Sequence, residues 1–252
     1  GYPQPSLEYS LNAQQFTADA RPFTFHSPIA ISSVSPSSGP NDGGARVTIH
    51  GFGLWGSQGA LTDVRCAFGD ATVPASRAGV GGESASNLVC ISPPTIRLVT
   101  PRMYPLRVAL NGQQFSAPAA DAFQVYDPPI ISSLSPASGP ATTGGTSITI
   151  AGRGLGRGGT HLRCSYSAAV SDGAGGGGAA DGDGLRMVLN ATRLASGSLL
   201  CISPPELNRI GEPLDAPDAA ASVRLAVSLN GQQMSNASTL RTFRPHNITR
   251  LS

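Results

Sequence analysis

Four cysteines are the residues best equipped for chemistry, and they fall at matching places in two stretches of the chain. Cys66 and Cys164 lie in the strand-like runs DVRCAF and HLRCSY, and Cys90 and Cys201 in NLVCISPP and SLLCISPP. A metal site would need ligand spacing such as C-x2-C with histidine nearby, and that spacing is absent. Disulfides suit the pattern. Pairing within each stretch gives Cys66–Cys90 and Cys164–Cys201, closing loops of about 25 and 38 residues. Each closure contributes roughly 3–4 kcal/mol on the chain-entropy model and implies an oxidising compartment. Three N-x-S/T sequons, at Asn190, Asn236 and Asn247, agree with that compartment and predict covalent N-glycans in a eukaryotic secretory pathway.

No other residues converge on a reaction. His26, His50, His161 and His246 sit in linker-like or strand positions with no nucleophile or carboxylate at useful spacing, so no catalytic site is assigned and no cofactor is implied. Asp172, Asp181 and Asp183 lie among glycines in AAVSDGAGGGGAADGDG. Their spacing matches neither a calcium-binding helix-loop-helix nor a nonapeptide roll, and the segment reads as a flexible insertion. Ser92-Pro93-Pro94 and Ser203-Pro204-Pro205 follow strand-like runs. They serve to stop strand pairing, with O-glycosylation of the serines or prolines as the sharper alternative. Trp55, the single tryptophan, is placed beside Phe52 and Leu54 on an apolar loop tip that either packs internally or anchors a partner.

The elements that position these residues are written in repeats. SLNAQQF at Ser10–Phe16 returns as ALNGQQF at Ala109–Phe115 and SLNGQQM at Ser228–Met234, while SPIAISSVSPSSGP at Ser27–Pro40 returns as DPPIISSLSPASGP at Asp127–Pro140 and begins again at Arg244–Ser252. The anchors stand about 100 and 117 residues apart, which is the size of whole small domains in series. The expected division is 1–27 as the last two strands of a preceding repeat, 28–127 and 128–244 as complete domains, and 245–252 as the first strand of a following one. The second domain carries the glycine-rich insertion 168–184. Within each repeat, short alternating runs are separated by Gly, Pro, Ser and Asn, the pattern of an all-β sandwich. Val47 with Ile49, Val64 with Cys66 and Phe68, and Leu106 with Val108 and Leu110 are expected to point inward. Their counterparts are Ile148/Ile150, Leu162/Cys164/Tyr166 and Val223/Leu225/Val227/Leu229. Asn111-Gly112 and Asn230-Gly231 predict type I′ hairpin turns, and Asn12-Ala13 predicts a different or strained one.

Composition narrows the functional classes. Charged residues are 13% of the chain at a net charge of +2, and all 17 basic residues are Arg. Neither a nucleic-acid surface nor an acidic tail is present in that balance. No apolar run is long enough to insert directly into a membrane. No signal peptide stands at Gly1, so the leader was removed or the chain was cut from something larger.

The runs SPSSGPNDGGARVTIHGFGL and SPASGPATTGGTSITIAGRGL are similar to the opening of IPT/TIG domains, the immunoglobulin-like domains shared by plexins and transcription factors. The later elements fit as well: a Cys strand followed by Phe or Tyr, then L-x-C-x-x-P-P, a strand ending in N-G-Q, and a closing F-x-V/F. The resemblance spans essentially the whole chain and implies tandem early-set immunoglobulin-like β-sandwiches in a rod, with an internal disulfide in extracellular members. Such members occur in plexins, hepatocyte-growth-factor-type receptors, fibrocystin-like proteins and large surface proteins of protists and algae.

Two roles at the cell surface follow as expectations. The first is a structural glycoprotein, a protomer of a head-to-tail homo-oligomeric filament or coat. The alternative is a ligand-binding or adhesion segment of a receptor-like ectodomain, with neighbouring domains of a longer chain as its contacts. The ends bear on the choice. Leu7, Tyr9, Leu11, Phe16, Phe23 and Phe25 give the lone N-terminal hairpin an apolar face, and Ile248 and Leu251 are expected to pin the C-terminal strand. These are either stumps of adjacent domains or surfaces through which neighbouring chains assemble.

Overall fold

The computed structural model describes residues 5–23, 25–54, 63–78, 87–94, 103–168, 186–207, 210 and 221–243. All regular elements in them but a single 3-10 position are β-strands. Two compact units result, one holding most of the first repeat up to Phe123 and the other Ser38–Ala45 with the chain from Gln124 onward.

An N-terminal hairpin, β1 (Ser6–Leu7) against β2 (Arg21–Pro22), forms a two-stranded sheet of its own ahead of the first repeat. There follow β3 (Ala30–Ser35), β4 (Ser38–Pro40), β5 (Arg46–Phe52), β6 (Arg65–Phe68), β7 (Ala71–Ala78), β8 (Asn87–Ile91), β9 (Met103–Tyr104), β10 (Leu106–Ala109) and β11 (Phe123–Tyr126). They form a sheet of order β10-β6-β7-β8-β5-β3 and a smaller one of order β4-β11-β9. β7 serves two limbs of the large sheet. Its first half pairs with β6 (Arg65↔Pro74) and its second half with β8 (Ala75↔Cys90). Pro74, which has no N–H to donate, sits where the strand changes partners, and this explains why a run containing proline can still be a strand. Val47, Ile49, Cys66, Phe68, Leu106, Val108 and Leu110 are buried as alternation predicts, and Phe68 meets Phe123 edge to face with centroids 5.1 Å apart. Val64 is only half-buried.

The second repeat contains β12 (Ile130–Ser135), β13 (Ser138–Pro140), β14 (Ser147–Arg153), β15 (Arg163–Ala168), β16 (Arg186–Asn190), β17 (Thr192–Arg193), β18 (Leu199–Ile202), β19 (Ala221–Ser228) and β20 (Ser238–Phe243). Its sheets run β12-β14-β18-β17 and β13-β20-β19-β15-β16. Ile148, Ile150, Cys164, Tyr166, Leu199, Cys201, Val223, Leu225, Val227 and Leu229 fill the core. Burial raises the Tyr166 phenol far above the ordinary tyrosine range, and its hydroxyl donates to the carbonyl of Ile202 at 3.1 Å.

Glycine at one family position has a steric cause. The first strand of each repeat bulges opposite the fifth or fourteenth, between Ile31 and Ser33 and between Ile131 and Ser133. There a Cβ on Gly51 or Gly152 would collide with the carbonyl oxygen of Ala30 or Ile130. The repeated turn is also specific. The carboxamide oxygen of Asn12, Asn111 and Asn230 accepts from the backbone N–H groups two and three residues on, and its Nδ2 donates to the side chain of Gln15, Gln114 or Gln233. The asparagine keeps an ordinary φ and only the next residue is left-handed: Gly112 at 71°, Gly231 at 79° and Ala13 at 61°. The expected type I′ turn, with positive φ at both central positions, is therefore corrected to an asparagine-capped turn. Ala13 adopts the same turn and carries the strain.

Two outcomes are expected. Gly152→Ala should lower stability by about 1–3 kcal/mol through overpacking against β12, read from the denaturant midpoint. For Tyr166 the folded-state pKa is raised, so its contribution is intact below the unfolded phenol's pKa of about 10 and is lost as pH rises above it. The midpoint should fall between about pH 9 and 11, and Tyr166→Phe should reduce that pH-dependent part of the fall.

Candidate binding surface and covalent sites

The structure joins Cys66 to Cys90 with Cα atoms 6.4 Å apart and Cys164 to Cys201 at 6.1 Å, within the range a disulfide spans. Each partner is placed by its strand. Cys164 opposes Val227 on β19, whereas Cys201 opposes Ile148 on β14, so the second bond ties one sheet of the sandwich to the other. Cys66 and Cys90 stand on the two limbs served by β7. All four are buried.

Asn190 ends β16 and is exposed. Asn236 is exposed just ahead of β20, and its carboxamide oxygen accepts from the backbone N–H of Ile131 at 3.0 Å. That bond secures β12 beside its bulge and fixes the orientation of the amide, so Nδ2, the atom a glycan would occupy, is the one not used. Asn247 lies outside the described residues, as do Trp55, His246, Ile248, Leu251, Asp172, Asp181 and Asp183. Phe52 is exposed, but Leu54 is buried, which corrects the expected apolar tip at that position. The side chain of Leu54 belongs to the core. Ser92 and Ser203 are buried too, and Ser203 Oγ accepts from the N–H of Thr146 at 2.9 Å. The burial of both serines favours the strand-stop role over O-glycosylation of their hydroxyls.

Leu7, Tyr9, Leu11, Phe16, Phe23 and Phe25 are all exposed, with Phe23 edge-on to Phe25 at 5.1 Å. A second apolar surface was not legible as a site: an open groove of about 460 Å³ lined by Arg46, Pro74, Ala75, Ser76, Val89 and Ile91. It depends on β7, whose proline hid the strand. Among the described residues no group of three His, Cys, Asp or Glu could hold a metal ion, and an ion pair joins Asp63 to Arg65 at 2.8 Å. The groove offers apolar contact beside one guanidinium.

The IPT/TIG domain family model matches residues 28–125 and 129–171. This is more than half of the chain, and the chain belongs to that family. Human Plexin-B3 is 34% identical over 132 residues, covering 52% of this chain and 6% of that protein. Among solved structures, the full extracellular region of Plexin A4, domains 1 to 10, matches at a TM-score of 0.51 and 14% identity, covering 94% of this chain and 17% of that one. Another structure of the Plexin A4 extracellular region matches at 0.47 and 16%, covering 94% and 20%. The structural likeness concerns the fold, and the chain spans a fifth or less of each of these relatives.

Non-reducing peptide mapping should recover Cys66 with Cys90 and Cys164 with Cys201. Replacing Cys164 and Cys201 together by alanine should cost about 2–5 kcal/mol in a denaturant titration. A Cys66–Cys164 peptide would overturn the assignment.

Proposed function

We propose that this chain is a segment of a receptor-like ectodomain at the cell surface. In this reading, disulfide-stapled IPT/TIG sandwiches space and present a surface for a ligand or adhesion partner. The observation that supports it most is the 34% identity with human Plexin-B3 over 132 residues, which runs through a family whose members here carry one internal disulfide per repeat. The paired cysteines favour an oxidising, extracellular location. The role is binding and spacing, and no step of catalysis is assigned. The filament reading draws no support from these relatives.

Covalent N-glycans at Asn190, Asn236 and Asn247 belong to the same proposal. At Asn236 the held carboxamide would present its sugar in one direction, away from the hydrogen bond to Ile131. The secreted chain should therefore lose mass on endoglycosidase treatment, and sedimentation velocity should show one monomeric species over a wide concentration range. End-to-end association into long species would overturn the receptor-segment reading in favour of the filament.

A further inference from the structure

The N-terminal hairpin repeats the geometry of the two complete sandwiches while lacking their cover. Beyond the asparagine-capped turn, the hydroxyl residue that follows closes the hairpin in the same way three times. Thr17 N donates to Tyr9 O at 2.9 Å, Ser116 N to Val108 O at 2.8 Å, and Ser235 N to Val227 O at 2.7 Å. In return Tyr9, Val108 and Val227 N–H groups donate to Thr17 Oγ1, Ser116 Oγ and Ser235 Oγ at 3.0–3.2 Å. Leu7, Tyr9 and Leu11 thus stand where Leu106, Val108 and Leu110, and Leu225, Val227 and Leu229, stand. The return strand follows the same register. Leu7 opposes Arg21 as Leu225 opposes Ser238, which puts Phe23 in the place of Leu240.

Burial separates the copies. Leu106, Val108, Leu110, Leu225, Val227, Leu229 and Leu240 are 0–1% exposed, whereas Leu7 is 63%, Tyr9 64%, Leu11 96% and Phe23 50% exposed. In the complete copies the cover is known. Strand β10 lies against the Cys-x-Phe strand β6 with Val108 opposite Cys66, and β19 lies against the Cys-x-Tyr strand β15 with Val227 opposite Cys164. The return strands pair in parallel with the short S-G-P strands β4 and β13.

We propose that residues 5–25 are the closing hairpin of a further IPT/TIG sandwich, and that a preceding segment of the same polypeptide occupies its apolar face. That segment would supply a Cys-x-aromatic strand, an S-G-P strand and the facing sheet. A second copy of this chain does not fit the position. Its β6 is already flanked by β7 and β10, and its β15 by β16 and β19, so neither cysteine-bearing strand has a vacant edge for the hairpin. The proposal rests on the tandem-domain reading above but has its own test.

A chain in which a copy of residues 28–102 is fused ahead of Gln4 rebuilds the missing strands in the register of the first repeat. Hydrogen exchange of the 5–25 peptide is compared in the original and extended proteins, each with and without Leu11→Asp. The expected result is rapid exchange in the original chain and about 100-fold slower exchange in the extended one. Leu11→Asp should abolish that slowing. Unslowed exchange in the extended chain overturns the proposal, whether or not the added segment forms its own disulfide. Concentration-dependent protection in the original chain, with a sedimenting dimer, overturns it in favour of a second copy. Mass loss on deglycosylation and the absence of long assemblies test the receptor-segment reading separately and are unaffected by either result.

Discussion

The pairing of the cysteine-bearing strand with the strand of the closing hairpin is the contact on which each sandwich depends. In the second repeat β15 runs alongside β19, and this places Tyr166 and Cys164 against Leu225 and Val227 in one buried row. The disulfide from Cys164 then reaches β18 in the opposite sheet, and Tyr166 adds a hydrogen bond to Ile202 beside it. Apolar burial and a covalent tie thereby act at one place. In the first repeat β6 pairs with β10 in the same way, while the Cys66–Cys90 disulfide joins β6 and β8, two strands of one six-stranded sheet that both pair with β7. Removing the cysteine strand's partner would expose the interior of the sandwich, and removing the cysteine strand would leave the partner as an apolar hairpin. Residues 5–25 illustrate the second case.

Much of this was legible because burial in a sheet has a period of two. The inward sets Val47/Ile49, Leu106/Val108/Leu110 and Val223/Leu225/Val227/Leu229 follow directly from alternation and are all buried. What escaped had local reasons. β7 contains Pro74, which reads as a strand breaker until one sees that it occupies the point where the strand leaves β6 for β8. The S-G-P segments have the composition of turns, yet they pair in parallel with distant strands β11 and β20. Such non-local pairing leaves no trace in a short window of sequence. Asn-Gly suggested two left-handed residues, but the asparagine side chain does the capping itself, so one is enough.

The apolar groove was less legible than the covalent sites. Cysteines and sequons carry their chemistry in residue type and spacing, whereas the groove between Arg46, Pro74 and Ile91 exists only once β5, β7 and β8 are side by side. Leu54 shows the converse: next to Trp55 and Phe52 in sequence it looked like part of an exposed tip, and the fold turns it into the core.

The account as a whole places these sandwiches outside the cell with every cysteine paired. Its most direct test is to label the protein on intact cells that make it, using a membrane-impermeant tyrosine-directed reagent, for which Tyr9 is exposed, followed by denaturation and a maleimide with and without prior reduction. The account predicts labelling of the protein from outside and maleimide reaction at Cys66, Cys90, Cys164 and Cys201 only after reduction. Protein that is reached only after permeabilisation, with these cysteines already reactive, would contradict it.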